Sequence, residues 1–210
     1  MESCRHILES GLDALHIVCN EDQIGRLLAF LKLIEKWNKA YNLTAIRNIE
    51  DMARLHILDS LAVLPYIIGR RVIDIGTGAG LPGIPLAIFL PGTQFTLLDS
   101  NAKKTRFVQQ AVLELKLSNV EVCHSRVQTF NPEQRFDTVI TRAFAALPVI
   151  MQTTGHLLSE QGVLLAMKGQ NPRNELAEIK VKSSVIPINT PGVEAERCVV
   201  IIHKEAISVG

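Results

Sequence analysis

The run Val72-Ile73-Asp74-Ile75-Gly76-Thr77-Gly78-Ala79-Gly80-Leu81-Pro82-Gly83-Ile84 decides the fold of this chain. An apolar stretch ends at an acid, a glycine-rich loop follows, and an amphipathic segment begins after Pro82. Proline in the first turn of a helix costs nothing for its missing N–H. The order therefore reads as a buried strand, a tight turn and a helix. Glycines at 76, 78 and 80 let the backbone take up positive φ and let a ligand approach it closely.

A dinucleotide-binding loop, G-x-G-x-x-G, would need glycine at position 81, which is Leu81. The spacing here is D-x-G-x-G-x-G, the form that holds S-adenosylmethionine in Rossmann-like methyltransferases. A pyrophosphate wants a free helix N-terminus and close packing at the third glycine, so the spacing favours the methyl donor. The next apolar run, Phe95-Thr96-Leu97-Leu98, ends in Asp99, 25 positions after Asp74. An acid at the end of the second strand suits the hydroxyls of a ribose. Asp74 is expected to hold the loop or to orient the donor's amino group.

Composition sets the bounds. A chain of 210 residues, 47% hydrophobic, fits one α/β domain with a small appendage. No run reaches the roughly 18 apolar residues of a membrane helix, and Met1–His6 carries no apolar signal core. A cytoplasmic protein is expected. Cys4, Cys19, Cys123 and Cys198 form no C-x-x-C pair and read as reduced thiols. The six histidines show no metal-ligand spacing, so no metal is expected. A net charge of +1 lacks a strong nucleic-acid footprint. Any such binding would rest on local clusters: Arg70-Arg71, Lys103-Lys104-Arg106, and Lys168 to Arg173.

Residues 1–65 read as a helical cap. Glu2 to Val18 forms one helix, and Ile24, Leu27, Leu28, Leu31, Ile34 and Trp37 make the stripe of a second. A third starts at the N-cap Asn48 and runs to Pro65, on which His56 and Asp59, at i and i+3, read either as a structural pair or as an RNA contact. Residues 66–205 read as the catalytic domain, with strands at 71–75, 94–98, 120–124, 136–140 and 162–167. Helices at 83–90, 101–117, 146–158 and 172–182 alternate with them, implying a parallel sheet with right-handed crossovers. Two last strands, near 184–189 and 197–203, flank Thr190-Pro191-Gly192 and should form an antiparallel edge hairpin. The expected fold is a Rossmann-like class I methyltransferase with a seven-stranded, mostly parallel sheet. Glu205–Gly210 reads as a frayed tail.

Ligands of such sheets sit beyond the carboxyl ends of the strands, where the first and fourth meet. Arg142, at the end of the fourth strand, carries a charged fork suited to a carboxylate or a phosphate and is the candidate catalytic residue. Its plainer alternative is a surface salt bridge with a nearby acid. An Asp/Asn-Pro-Pro-aromatic motif, expected for exocyclic amine acceptors, is replaced by Thr141-Arg142-Ala143-Phe144. No cysteine is placed as the nucleophile that pyrimidine C5 methylation needs. Guanine N7 offers a lone pair and requires no general base.

The chain resembles the 16S ribosomal RNA methyltransferase G family, also called glucose-inhibited division protein B. The resemblance lies in Trp37-Asn38-Lys39-Ala40-Tyr41-Asn42-Leu43-Thr44, His56-Ile57-Leu58-Asp59-Ser60-Leu61, Asp74 through Pro85, and Thr141-Arg142-Ala143-Phe144. It implies N7 methylation of a guanosine in the 530 loop of 16S ribosomal RNA. The partner would be that RNA or the small ribosomal subunit, met by a monomer. Donor contacts would fall on Gly76, Leu81, Val127, Gln128 and Arg142. The family's Arg-Ala-Glu after the third strand is Arg126-Val127-Gln128 here. The Gln amide oxygen can still accept from an adenine amino group. Set against this stand a methyltransferase for a small molecule or protein, and a donor-sensing RNA-binding protein without turnover.

Overall fold

The computed structural model describes residues 1–179 and 181–207. Seven strands form one sheet: β1 (Arg71–Ile75), β2 (Gln94–Asp99), β3 (Val120–His124), β4 (Phe136–Arg142), β5 (Leu158–Lys168), β6 (Ser184–Pro187) and β7 (Cys198–His203). Their order is β3-β2-β1-β4-β5-β7-β6. The first five strands run parallel, and β7 pairs antiparallel with both β5 and β6. Val72 and Ile73 of β1 are both fully buried, so each face of the strand is covered, as unbroken apolar runs of parallel strands require. Thr141 Oγ1 donates to the Ile75 carbonyl at 2.9 Å and pins β4 to β1 where the strand order reverses.

Three N-terminal elements cover one side of the sheet's helices. Helix α1 spans Glu2–Ala14, and α2 spans Glu21–Tyr41 behind a capping box of Asn20 and Gln23. The α2 stripe buries Leu27, Phe30, Leu31 and Ile34 completely. Phe30 stacks on Phe107 of α6 (Ala102–Glu114) with ring centroids 6.4 Å apart, and Trp37 meets the same ring at 5.7 Å. The cap and the sheet's helices thus share one apolar core.

The Trp37–Thr44 string has a structural job. Asn38, 2% exposed, accepts the Thr44 N–H at 2.9 Å and donates to the Ile46 carbonyl. Together with Asn42 in the left-handed region (φ 48°), it folds the loop back against the third helical segment.

That segment departs from the expected single α-helix over 48–65. It is helical at α3 (Ile49–Met52), widens to a π-helix over Ala53–Leu58, and closes at α4 (Asp59–Leu61). His56 and Asp59 therefore do not pair with each other. The wider turn sends His56 to Thr44, at 2.8 Å, and Asp59 to partners on other elements. The expected frayed tail is also corrected in part. Lys204–Ile207 forms a short helix, α9, with Ile207 packed on the second apolar cluster, while residues 208–210 lie outside the described residues. The helix expected at 172–182 is shorter, α8 at Arg173–Glu178, and position 180 likewise lies outside the described residues. The other crossovers, α5 (Gly83–Phe89) and α7 (Leu147–Thr154), fall inside their expected spans.

Candidate active site

The loop between β1 and α5 is held by two carboxylates. Asp74, fully buried, accepts the Thr77 hydroxyl at 2.6 Å and the Gly83 N–H at 2.9 Å through Oδ2. Burial pushes its carboxyl up to about 6, against the pull of these two donors. Asp99, at the end of β2, accepts the Gly78 N–H at 2.9 Å through Oδ2 and the Asn101 N–H at 2.8 Å through Oδ1. Gly76 and Gly78 stand at φ 67° and 59°, where a side chain is strained. The loop is thus bent around its own acids before any ligand arrives.

Beyond the ends of β1, β2 and β4 opens a cavity of about 640 Å³, lined by Gly76, Asp99, Lys104, Val127, Gln128 and Phe144 among others. That volume lies within the roughly 300–1,000 Å³ of small-molecule sites. Its donor set fits a nucleoside. Each Asp99 oxygen has a second lone-pair position left for a ribose hydroxyl. The short 3₁₀ turn Val127–Thr129 presents N–H groups at its start, beside the Gln128 amide.

Four of the nine sequence-derived site residues, Gly76, Asp99, Val127 and Gln128, come together on this wall. Gly78 acts from behind it, through its bond to Asp99. Asp74 sits beneath the loop and holds it. Gly80 (φ 79°) turns its α-carbon toward Ile84 and Phe30, and Leu81, 5% exposed, packs in the core. Arg142 points to a neighbouring cavity.

This second cavity, about 430 Å³, is lined by His56, Asp59, Arg142, Ala143, Lys168 and Arg197 among others. Ala143 lines both cavities. Asp59 is 4% exposed and organises the wall. Its Oδ2 lies 3.3 Å from Arg142 Nη1, its Oδ1 lies 3.3 Å from Arg197 Nε, and Oδ1 also accepts the Thr190 hydroxyl at 3.1 Å. Arg142 donates in addition to the Leu55 carbonyl at 3.2 Å. The salt bridge considered as the plainer alternative for Arg142 therefore exists, but within the fold, with the arginine side chain only 20% exposed. Burial and the nearby Arg142 charge push His56 down to about 4, so its imidazole is neutral at pH 7. Arg197 had no local sequence signal. It is one charge before an apolar strand, and only the sheet order brings it to Asp59.

Among the described residues no cluster of His, Cys, Asp or Glu is placed to hold a metal ion, and no helix is long and apolar enough to cross a membrane.

Comparison with known proteins gives the family and the fold. The model of the GidB family, described as rRNA small subunit methyltransferase G, matches residues 23–198. A protein of Legionella pneumophila subsp. pneumophila named Ribosomal RNA small subunit methyltransferase G is 50% identical over 200 residues, covering 95% of this chain and 94% of that one. Another of that name from Hydrogenovibrio crunogenus is 48% identical over 210 residues, covering 97% of each. Among solved structures, a SAM dependent methyltransferase from Aquifex aeolicus shares the fold at a TM-score of 0.55 and 19% identity, over 71% of this chain and 92% of that one.

Proposed function

The chain belongs to the rRNA small subunit methyltransferase G family and methylates ribosomal RNA with S-adenosylmethionine, and on that premise we propose that its acceptor is N7 of a guanosine in the 530 loop of 16S ribosomal RNA. When bound, S-adenosylmethionine supplies a methyl group on a positively charged sulfur, ready for in-line displacement. Methyl transfer to N7 releases no proton, so the protein has to supply alignment rather than a base.

The state of the second cavity's titratable groups carries this reading. Asp59 has both oxygens engaged by Arg142, Arg197 and Thr190, and His56 is neutral and bonded to Thr44. A wall whose carboxylate is committed in this way suits an acceptor that brings its own lone pair. We assign donor binding to Gly76, Asp99, Val127 and Gln128, with Asp74, Gly78, Gly80 and Leu81 shaping the loop behind them. Arg142 stands at the meeting of donor and acceptor, as a contact to the donor carboxylate or to an RNA phosphate. The same reading takes the enzyme as a cytoplasmic monomer without a metal, which sedimentation and metal analysis of the purified protein test.

The direct test incubates the protein with labelled donor and either small subunits or naked 16S RNA, then maps the product. N7-methylguanosine should appear at a single site, where borohydride and aniline cleave the chain. Label on an exocyclic amine, a pyrimidine carbon or a protein overturns the assignment.

A further inference from the structure

We propose that Phe144 is the platform on which the acceptor base stacks. Phe30, Phe95, Phe107 and Phe136 are buried, whereas Phe144 is 36% exposed at the rim of the donor cavity. Its ring lies against the backbone of Gly76, where an added Cβ would come within 2.7 Å of Cδ2. The residue before it, Ala143, lines both cavities and stands at φ 51°, a conformation that a residue with a side chain adopts only under constraint.

The constraint is visible. On one side Arg142 is anchored by Asp59 and the Leu55 carbonyl. On the other, Lys168 Nζ donates to the Ala145 carbonyl at 2.9 Å and to Glu175 at 2.8 Å, and Glu175 in turn accepts the Leu147 N–H at 2.6 Å. Polar contacts from three separate segments thus pin a turn that carries a part-exposed aromatic ring. A part-exposed ring on a pinned turn, beside the residue that lines both cavities, fits a planar partner. Unstacked bases of RNA are recognised by such rings.

This inference rests on the guanine N7 reading for its chemistry. As the N7 lone pair forms the new C–N bond, the C–S pair returns to sulfur, no proton leaves, and the base becomes a cation. An aromatic face attracts that developing charge.

The test compares Phe144→Ala, Phe144→Leu and Phe144→Tyr with the parent protein. Steady-state kinetics use small ribosomal subunits lacking the modification at saturating donor, and calorimetry measures donor affinity. Phe144→Ala and Phe144→Leu should lose about 10- to 100-fold in kcat/KM for subunits, while Phe144→Tyr stays within about threefold. Donor affinity should hold within about twofold in Phe144→Tyr and fall less than kcat/KM does in Phe144→Ala and Phe144→Leu, and thermal unfolding reports that the variants fold. Two results overturn the proposal: a donor affinity that falls in step with activity, making the ring a donor wall, or full activity in Phe144→Leu, making it packing. Mapping the parent protein's product tests the N7 reading separately. A different acceptor atom with aromatic dependence intact removes that reading and leaves the platform standing.

Discussion

Asp59 and Arg142, 83 positions apart, meet at 3.3 Å between Oδ2 and Nη1, and the same carboxylate holds Arg197 at 3.3 Å through Oδ1. One acid, with a side chain 6% exposed, thereby ties the helical cap to the tip of β4 and to the edge hairpin. Removing it should be worse than removing either base. Asp59→Ala leaves two guanidiniums without their shared counter-charge and should cost about 3–5 kcal/mol. Arg142→Ala leaves Asp59 paired with Arg197 and Thr190 and should cost about 1.5–3 kcal/mol. Urea unfolding of the two variants measures the difference, and equal losses would show that the Arg197 and Thr190 contacts add nothing beyond the Arg142 pair.

Arg142→Ala should also lower methyl transfer strongly, and donor titration separates the two contacts proposed for it. A contact to an RNA phosphate leaves donor affinity intact and makes the salt slope of RNA binding shallower by about one. A contact to the donor carboxylate weakens donor binding at every salt concentration.

Much of this architecture was legible in the sequence because local pattern dictates it. Mostly apolar runs ending at Ile75 and Asp99 read as doubly covered strands, and every strand fell on or within two residues of its expected span except β5, which starts four residues earlier at Leu158. Asp99, Val127 and Gln128 come to one wall because parallel strands deliver their carboxyl ends to one edge. What stayed hidden depends on contacts between distant segments. Nothing near Asp59 announces Arg197, and the pairing expected of His56 and Asp59 gives way to bonds with Thr44, Arg142 and Arg197 around a π-helical turn. Alternating glycines looked equivalent in the sequence. In the fold Gly76 meets Phe144 at the cavity, whereas Gly80 meets Ile84 in the core.

Asp99 has two duties that substitution should separate. Its oxygens hold the N–H groups of Gly78 and Asn101 and are also the proposed ribose acceptors. Asp99→Ala should weaken donor binding by about 1.5–3 kcal/mol and destabilise the fold as well, because two backbone donors lose their acceptor. Asp99→Asn keeps one acceptor oxygen and should retain more stability than donor affinity. Calorimetric titration beside thermal unfolding reads both, and unchanged donor affinity in a folded Asp99→Ala protein would move the ribose site elsewhere.

Gly78 offers a cleaner perturbation than Gly76. A Cβ at Gly78 meets nothing closer than the Gly76 carbonyl at 3.8 Å, so the cost comes from its φ of 59° rather than from a clash. Gly78→Val should abolish activity by displacing the loop from Asp99, with a stability loss of about 1–2 kcal/mol and the sheet intact. Circular dichroism and donor titration check this. Normal donor binding would free the loop of its assigned role.

Two buried groups set opposing responses to acid. Burial, aided by Arg142, pushes His56 down from 6.5 to about 4, so its stabilising contribution is complete above 6.5 and is lost as pH falls toward 4. Burial raises Asp74 from 3.8 to about 6, so its contribution is complete below 3.8 and is lost as pH rises through 6. On acidification His56 therefore removes stability over the interval in which Asp74 restores it. Asp74→Asn abolishes the restoring half, and its unfolding free energy should fall more steeply than that of the parent protein between pH 6 and 4. His56→Gln abolishes the other half and should fall less steeply over the same interval. Urea midpoints measured across that window decide the matter: an Asp74→Asn curve parallel to the parent's would mean that this buried carboxyl titrates like an exposed one, and that the donors from Thr77 and Gly83 outweigh its desolvation.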